Sequence, residues 1–247
     1  MAFRSGLGAA LLCLSSACAG PHSDRDALRR IVQEQCAPHW LAEHRPAPCE
    51  RVRLPAMPFG REGYAVLADR KGGAHFLLIP TATLTGVESP ALRARGAPNF
   101  FADAWDARDL IALRVGHDVA RDAIGLAVNP RHARSQDQFH IHIECLRPDV
   151  AADLRRASAR VGAAWAPLEL RGRRYLAMRV MGEDLAGANP ITLLAEQRPD
   201  AAQDLGDYTF IVAGMRFGAE PGFVLLADNG PAGELLLDST CAASALK

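Results

Sequence analysis

Over residues 138–145 polar and apolar side chains alternate without a break: Gln138, His140, His142 and Glu144 against Phe139, Ile141, Ile143 and Cys145. Successive side chains of a β-strand point to opposite faces, so a strand sorts this segment into an apolar face and a ladder of polar groups. The segment reads as a strand with a core on one side and, on the other, two imidazoles two residues apart. Imidazole is a nucleophile, a general acid or base and a metal ligand, so chemistry is expected on that face.

The flanking sequence extends the strand into a hairpin. Residues 123–129 (AIGLAVN) form a short apolar run, residues 130–134 (PRHAR) a polar turn, and Ser135-Gln136-Asp137 lead into the histidine strand. Upstream, strands are expected at residues 64–69 and 75–80 around the turn Lys71-Gly72-Gly73, then a helix over 99–115. An amphipathic helix is expected over 24–35, from Leu28, Ile31 and Val32. Pro148 suits a first helical position, so a connecting helix follows over about 149–161. The order β-β-α-β-β then recurs at 167–171, 175–181, 190–197, 208–214 and 223–228. A repeat of about 100 residues implies two similar α+β units whose sheets can join across a pseudo-twofold axis. The competing organisation is one α+β domain with an unrelated C-terminal extension. In the second copy Phe223-Val224-Leu225-Leu226-Ala227 stands where the first has histidines, so only the first carries the motif.

The hairpin resembles the histidine-triad (HIT) superfamily, in which an Asn ends one strand, a Ser lies five residues before the central His, and the next strand carries His-x-His-x-His. Asn129, Ser135, His140 and His142 match that pattern, and Gln138 occupies the first triad position. A closer resemblance spans nearly the whole chain. The runs GYAVL (63–67), GVESP (86–90), PNFF (98–101) with AWDARD (104–109), FHIHI (139–143) with Cys145, and RPDV (147–150) are similar to the bacterial CDP-diacylglycerol diphosphatase family. The resemblance implies an α+β, HIT-like internal pseudo-dimer with a catalytic half at residues 21–161 and a degenerate half at 162–247. It also implies hydrolysis of CDP-diacylglycerol to CMP and phosphatidate at a membrane surface.

On that reading His140 is the nucleophile and forms a CMP–histidine intermediate, with its other ring nitrogen held by a main-chain carbonyl. His142 is assigned to phosphate binding and protonation of the leaving group, Gln138 and Ser135 to phosphate or bridging oxygens, and Asn129 to ribose or phosphate. No cofactor and no metal are called for. Two other readings use the same residues. His140 and His142, with Glu144 on their face, suit Zn²⁺ in a hydrolase site with an open position. Alternatively, the hairpin only holds a nucleotide in a non-catalytic envelope protein. His75 and His132 are further histidines that could approach the site. Phe100, Phe101 and Trp105 read as core rather than as a base-stacking platform.

Composition narrows the partners. Twenty-eight Lys and Arg balance twenty-eight Asp and Glu, so no net field favours nucleic acid, and no basic run is interleaved with aromatics. Residues 1–20 look like a signal peptide or anchor: Arg4, an apolar run at 6–14, and Ala17-Cys18-Ala19 at a cleavage-type site. Cys18 offers a second outcome, a lipid-bearing N-terminus. Either outcome places the chain in the cell envelope, periplasmic or on the periplasmic side of the inner membrane. Loss of the leader leaves Cys36, Cys49, Cys145 and Cys241, an even number for an oxidising compartment. Of three pairings, Cys36–Cys49 would enclose a Pro-rich loop and Cys145–Cys241 would tie the C-terminus behind the histidine strand. The internal repeat supplies its own partner surface, so a monomer is expected.

Overall fold

The computed structural model describes residues 24–54 and 63–242; the expected leader, with Cys13 and Cys18, lies outside them. The strands are β1 (Arg51–Arg53), β2 (Tyr64–Ala68), β3 (Phe76–Pro80), β4 (Ile124–Val128), β5 (Ile141–Leu146), β6 (Ala166–Leu170), β7 (Arg173–Met181), β8 (Thr209–Phe217), β9 (Glu220–Asp228) and β10 (Leu237–Asp238). All pair antiparallel in one sheet ordered β1-β2-β3-β5-β4-β8-β9-β7-β6, with β10 beside the end of β5. The fold is thus α+β around one mixed-origin sheet. About the β4–β8 seam, β2-β3-β5-β4 on one side answers β6-β7-β9-β8 on the other. At the seam Gly125 pairs with Ala213 and Val128 with Phe210, which puts the two halves in one hydrogen-bonded ladder.

One face of the sheet carries the main core, to which both halves contribute. Phe100 and Trp105 from the helix Phe100–Asp106 and Ile191 from the helix Pro190–Gln197 pack there with Leu126, Ile143, Phe210 and Phe223. Trp105 meets Phe223 edge to face at 4.8 Å, an aromatic contact across the halves. These helices start where the sequence offers side-chain acceptors: Asn99 Oδ1 receives the Ala102 N–H and Asn189 Oδ1 the Ile191 N–H. The helix expected over 99–115 is two, Phe100–Asp106 and Asp109–Val115. At the break Arg108 donates to the Trp105 carbonyl and lies over its ring, taking up the end of the first helix.

The opposite face is covered in two patches. Helical turns from Ala27 to Glu43, including a wide π segment at Ile31–Cys36, bury Leu28, Val32 and Cys36 against Ala65, Leu77 and Ile79. They run past the expected end at residue 35, with Pro38 accommodated where the π segment passes into the segment Ala37–Glu43. The helix Pro148–Ala157 buries Val150 and Leu154 against Ile211 and Leu226. Between the two patches the middle of β5 is left uncovered by helix. Both disulfides, Cys36–Cys49 and Cys145–Cys241, are formed. No described helix is long and apolar enough to cross a membrane.

Candidate active site

The gap between the two covers is a cavity of about 660 Å³ lined by His140, His142, Asn129 and Ser135, residues expected from the sequence. β5 supplies His142. Its antiparallel neighbours place Leu77 on one side of His142 and Ala127 on the other, and set His75 beside Glu144 across the β3–β5 pair. Strand alternation therefore presents His142, Glu144, His75 and Leu77 on the same face. Asn129 follows the end of β4, and Ser135 and Gln136 come from the hairpin loop.

His140 precedes the regular strand, which starts at Ile141 rather than at 138. The approach bends because Asp137 N–H donates to the Arg25 carbonyl and Phe139 N–H to the Leu84 carbonyl, outside the β3–β5 ladder. Within the bend, His140 Nδ1 lies 2.8 Å from the Gln138 carbonyl. A carbonyl only accepts, so Nδ1 carries the proton and Nε2 keeps its lone pair. Burial pushes His140 below the usual imidazole range, opposed by the Gln138 contact, so the ring is neutral at pH 7. A neutral, oriented imidazole with a free Nε2 is a nucleophile.

Gln138 does not line the main cavity. Its amide nitrogen donates to the Pro80 and Ala82 carbonyls, and its oxygen receives the Leu84 N–H at 3.4 Å. The side chain is fully buried and stitches the segment after β3 to the histidine segment. The four-residue polar ladder is thus shortened, since the bend turns Gln138 away from the face that His142 and Glu144 share.

His142 is enclosed. Its Nε2 lies 3.4 Å from the Asn129 amide, whose oxygen receives the Glu234 N–H. Its Nδ1 lies 2.9 Å from His75 Nε2 and 3.4 Å from Glu234 Oε2. His75 Nε2 is also 3.1 Å from Glu144 Oε1, and His75 Nδ1 is 3.7 Å from Asp69 Oδ1. Burial depresses both imidazoles, His75 to about 4. Burial, reinforced by Glu234 and Asp69, raises Glu144 to about 8. His75, His142 and Glu144 can bring ligand atoms within 4.8 Å of one another, a set that does not include His140. His132 is elsewhere, on the surface against the Gly230 carbonyl. Phe100, Phe101 and Trp105 are core on the opposite face.

Several lining groups were not singled out from the sequence. Asp69, Arg70 and Lys71 come from the β2–β3 turn, Glu234 from the C-terminal segment, and Ala27, Leu28 and Ile31 from the first helical turns. Lys71 and Glu234 face each other at 3.9 Å. The C-terminal segment reaches the site because Gly233 lies flat on the sheet: a Cβ there would collide with Thr209 Oγ1. Nothing local in the sequence marks these residues as neighbours of the hairpin. The loop before His140 is fastened to the first helix: Gln136 accepts the Leu28 N–H and donates to the Asp24 carbonyl, and Arg25 pairs with Asp137. Arg134 makes two hydrogen bonds to Glu88 across Gly86, where a Cβ would overlap its guanidinium.

Comparison with known proteins adds to this geometry. A family model described as CDH: CDP-diacylglycerol pyrophosphatase matches residues 23–245. A CDP-diacylglycerol pyrophosphatase of Yersinia pestis is 39% identical over 228 residues, covering 89% of this chain and 85% of that protein.

Proposed function

The chain belongs to the CDP-diacylglycerol pyrophosphatase family, a family of hydrolases acting on phosphoanhydrides, and from that membership we propose how its cavity cleaves CDP-diacylglycerol to CMP and phosphatidate. His140 Nε2 attacks the cytidylyl phosphorus. An N–P bond forms, the bridging P–O bond breaks, and phosphatidate leaves, its oxygen receiving a proton from His142 or from water. Water then attacks the same phosphorus, the N–P bond breaks, and CMP departs with His140 restored. Two displacements replace one difficult attack of water on an anionic phosphorus. The observation that carries this reading is the 2.8 Å contact of His140 Nδ1 with the Gln138 carbonyl, which leaves the lone pair on Nε2 of a residue that lines the cavity. Lys71, Arg70 and Ser135 supply charge and hydrogen bonds for the diphosphate, and Asn129 orients His142. Leu28, Ile31, Leu67 and Leu77 form an apolar wall suited to the diacylglycerol end. Gln138 serves by holding the His140 segment rather than by touching phosphate.

The same reading takes the two halves as HIT-like units, 21–161 catalytic and 162–247 degenerate, joined as an internal pseudo-dimer and working as a monomer. The matching strand orders about the β4–β8 seam support it. The two disulfides support an oxidising compartment, so the chain acts in the envelope, periplasmic or on the periplasmic side of the inner membrane, where its lipid substrate is presented.

The test is to quench turnover of substrate labelled in the cytidylyl phosphate at alkaline pH, where phosphoramidates survive, and map the label. Label on His140 is the expected result. Full turnover with no protein-bound label, together with an active His140→Ala variant, would remove the nucleophile assignment.

A further inference from the structure

We propose that His75, His142, Glu144 and Glu234 form a binding site for a divalent transition-metal ion, Zn²⁺ being the chemistry the donor set fits best, on the floor of the cavity beside His140. The resemblance called for no metal, and the notion of a zinc pair at His140 and His142 placed the ligands differently. Here His140 is outside the set and keeps its role as nucleophile, so the proposal is independent of that assignment.

Geometry carries the argument. His75 Nε2, His142 Nδ1 and Glu144 Oε1 form a compact trio, His75 lying 2.9 Å from His142 and 3.1 Å from Glu144, with His142 4.0 Å from Glu144, and Glu234 Oε2 joins it through His142 Nδ1 at 3.4 Å. A tetrahedral ion with bonds of about 2.0–2.1 Å sets its ligand atoms about 3.3–3.4 Å apart, so these separations straddle the required value. His75 sits beside Glu144 on adjacent paired strands, and Glu234 is delivered by a segment that Gly233 and the Cys145–Cys241 disulfide hold to the sheet. All but Glu234 are buried, and Glu234 has a half-covered side chain.

His142 Nδ1 and Glu144 Oε1 both lie against His75 Nε2, and Glu234 Oε2 lies against His142 Nδ1. A dication can take a lone pair from each of the four groups. One outer contact is of the kind a zinc-bound imidazole uses: His75 turns Nδ1 toward the Asp69 carboxylate at 3.7 Å. With Nδ1 on the ion, His142 carries its proton on Nε2, so metal binding requires the Asn129 amide to turn its oxygen there in place of the nitrogen that faces Nε2 at 3.4 Å, releasing the Glu234 N–H. Charge points the same way. Asp69 and Glu234 line a cavity meant for a diphosphate, with Glu144 beneath, and a dication offsets their repulsion of an anion.

The full chain, stripped by a chelator and checked for fold by circular dichroism, is titrated with Zn²⁺ by calorimetry and with Co²⁺ by visible absorption. A single ion per chain is expected, with the intense bands of tetrahedral Co²⁺. Glu144→Gln and His75→Asn should weaken binding by about a hundredfold or more, since losing an outer-shell partner alone costs about 10–100-fold. His140→Ala should bind within about threefold of the parent. Glu234→Gln, at the less buried position, should weaken binding and alter the Co²⁺ spectrum, so a readout remains if an inner variant fails to fold. Absence of stoichiometric binding by the folded parent would overturn the proposal. So would unchanged affinity in Glu144→Gln and Glu234→Gln, or loss of binding in His140→Ala.

Discussion

His140 and Gln138 lie two residues apart, and their loss removes different things. His140→Ala deletes the bond-forming nitrogen, and turnover should fall by about 10³-fold or more, to what binding and charge stabilisation alone supply. Gln138→Ala keeps the nucleophile and strips the hydrogen-bond partners from the Pro80 and Ala82 carbonyls and the Leu84 N–H. Buried backbone groups left without partners cost about 1–3 kcal/mol, so this variant should lose stability in urea denaturation and lose less activity than His140→Ala. Equal losses of kcat with unchanged stability would point to Gln138 on the substrate after all. That His140, His142, Asn129 and Ser135 meet at one cavity was legible because one hairpin holds all of them, the histidines being marked by the period of two and Asn129 and Ser135 by the resemblance. The turning away of Gln138 was not legible, because it depends on the carbonyls of residues 80 and 82, more than fifty residues away in sequence.

At the scale of elements, the first helical turns act as one wall of the cavity and are clipped to the loop that carries Ser135. Arg25 and Asp137 pair through two hydrogen bonds, with Gln136 bonded to the start of the helix beside them. The hydrogen bond from Arg25, followed by that from Arg134, holds the Asp137 carboxyl down at about 2. A carboxyl depressed in the folded state stabilises it above its unfolded value of about 3.9, and that contribution disappears as pH falls through the folded value. The stability difference between the parent and Asp137→Asn should therefore be constant from pH 7 to about 5, shrink below about 4 and vanish near 2. A difference that persists unchanged at pH 2 would show that the clip does not depend on the charge. The apolar side of the wall is tested separately. Ile31→Ser should raise KM for CDP-diacylglycerol by about 5–30-fold, the effect of about 1–2 kcal/mol of lost apolar contact, and leave a water-soluble CDP-glycerol substrate unaffected. A parallel rise for both substrates would move the lipid end elsewhere. The sequence marks this helix through Leu28, Ile31 and Val32, yet its extension to Glu43 and its place over the cavity follow from the sheet face it covers, a long-range consequence with no local signal.

For the whole molecule, the question is whether the second half is a partner surface or an appendage. The succession of elements along the chain in both halves could be read in advance because each strand is a short apolar run bounded by turn residues, whereas the order of the strands in the sheet could not. The missed strands, β1 and β10, are only three and two residues long and exist through pairing with distant segments. Cutting after residue 161 would leave β4 as an edge without the β8 ladder and uncover the core face where Trp105 meets Phe223. It would also remove Cys241, the partner of Cys145, and Glu234 from the cavity wall. The native bridge closes 96 residues of sequence, and losing such a constraint costs about 2–5 kcal/mol, a large share of a domain's net stability. An apolar, unpaired strand edge also templates association with another chain. A fragment of residues 21–161 should therefore be insoluble or self-associated and inactive, as judged by size-exclusion chromatography and turnover. In the intact chain, Leu225→Asp places a carboxylate at a fully buried position of β9 between Met178 and Val212 on the flanking strands. An unpaired buried charge costs about 3–5 kcal/mol or more, so this variant should unfold as a whole rather than locally. Should the fragment instead run as a soluble, active monomer, with Leu225→Asp leaving the histidine half folded, the second half would be an accessory domain and the matching strand order would have no energetic meaning.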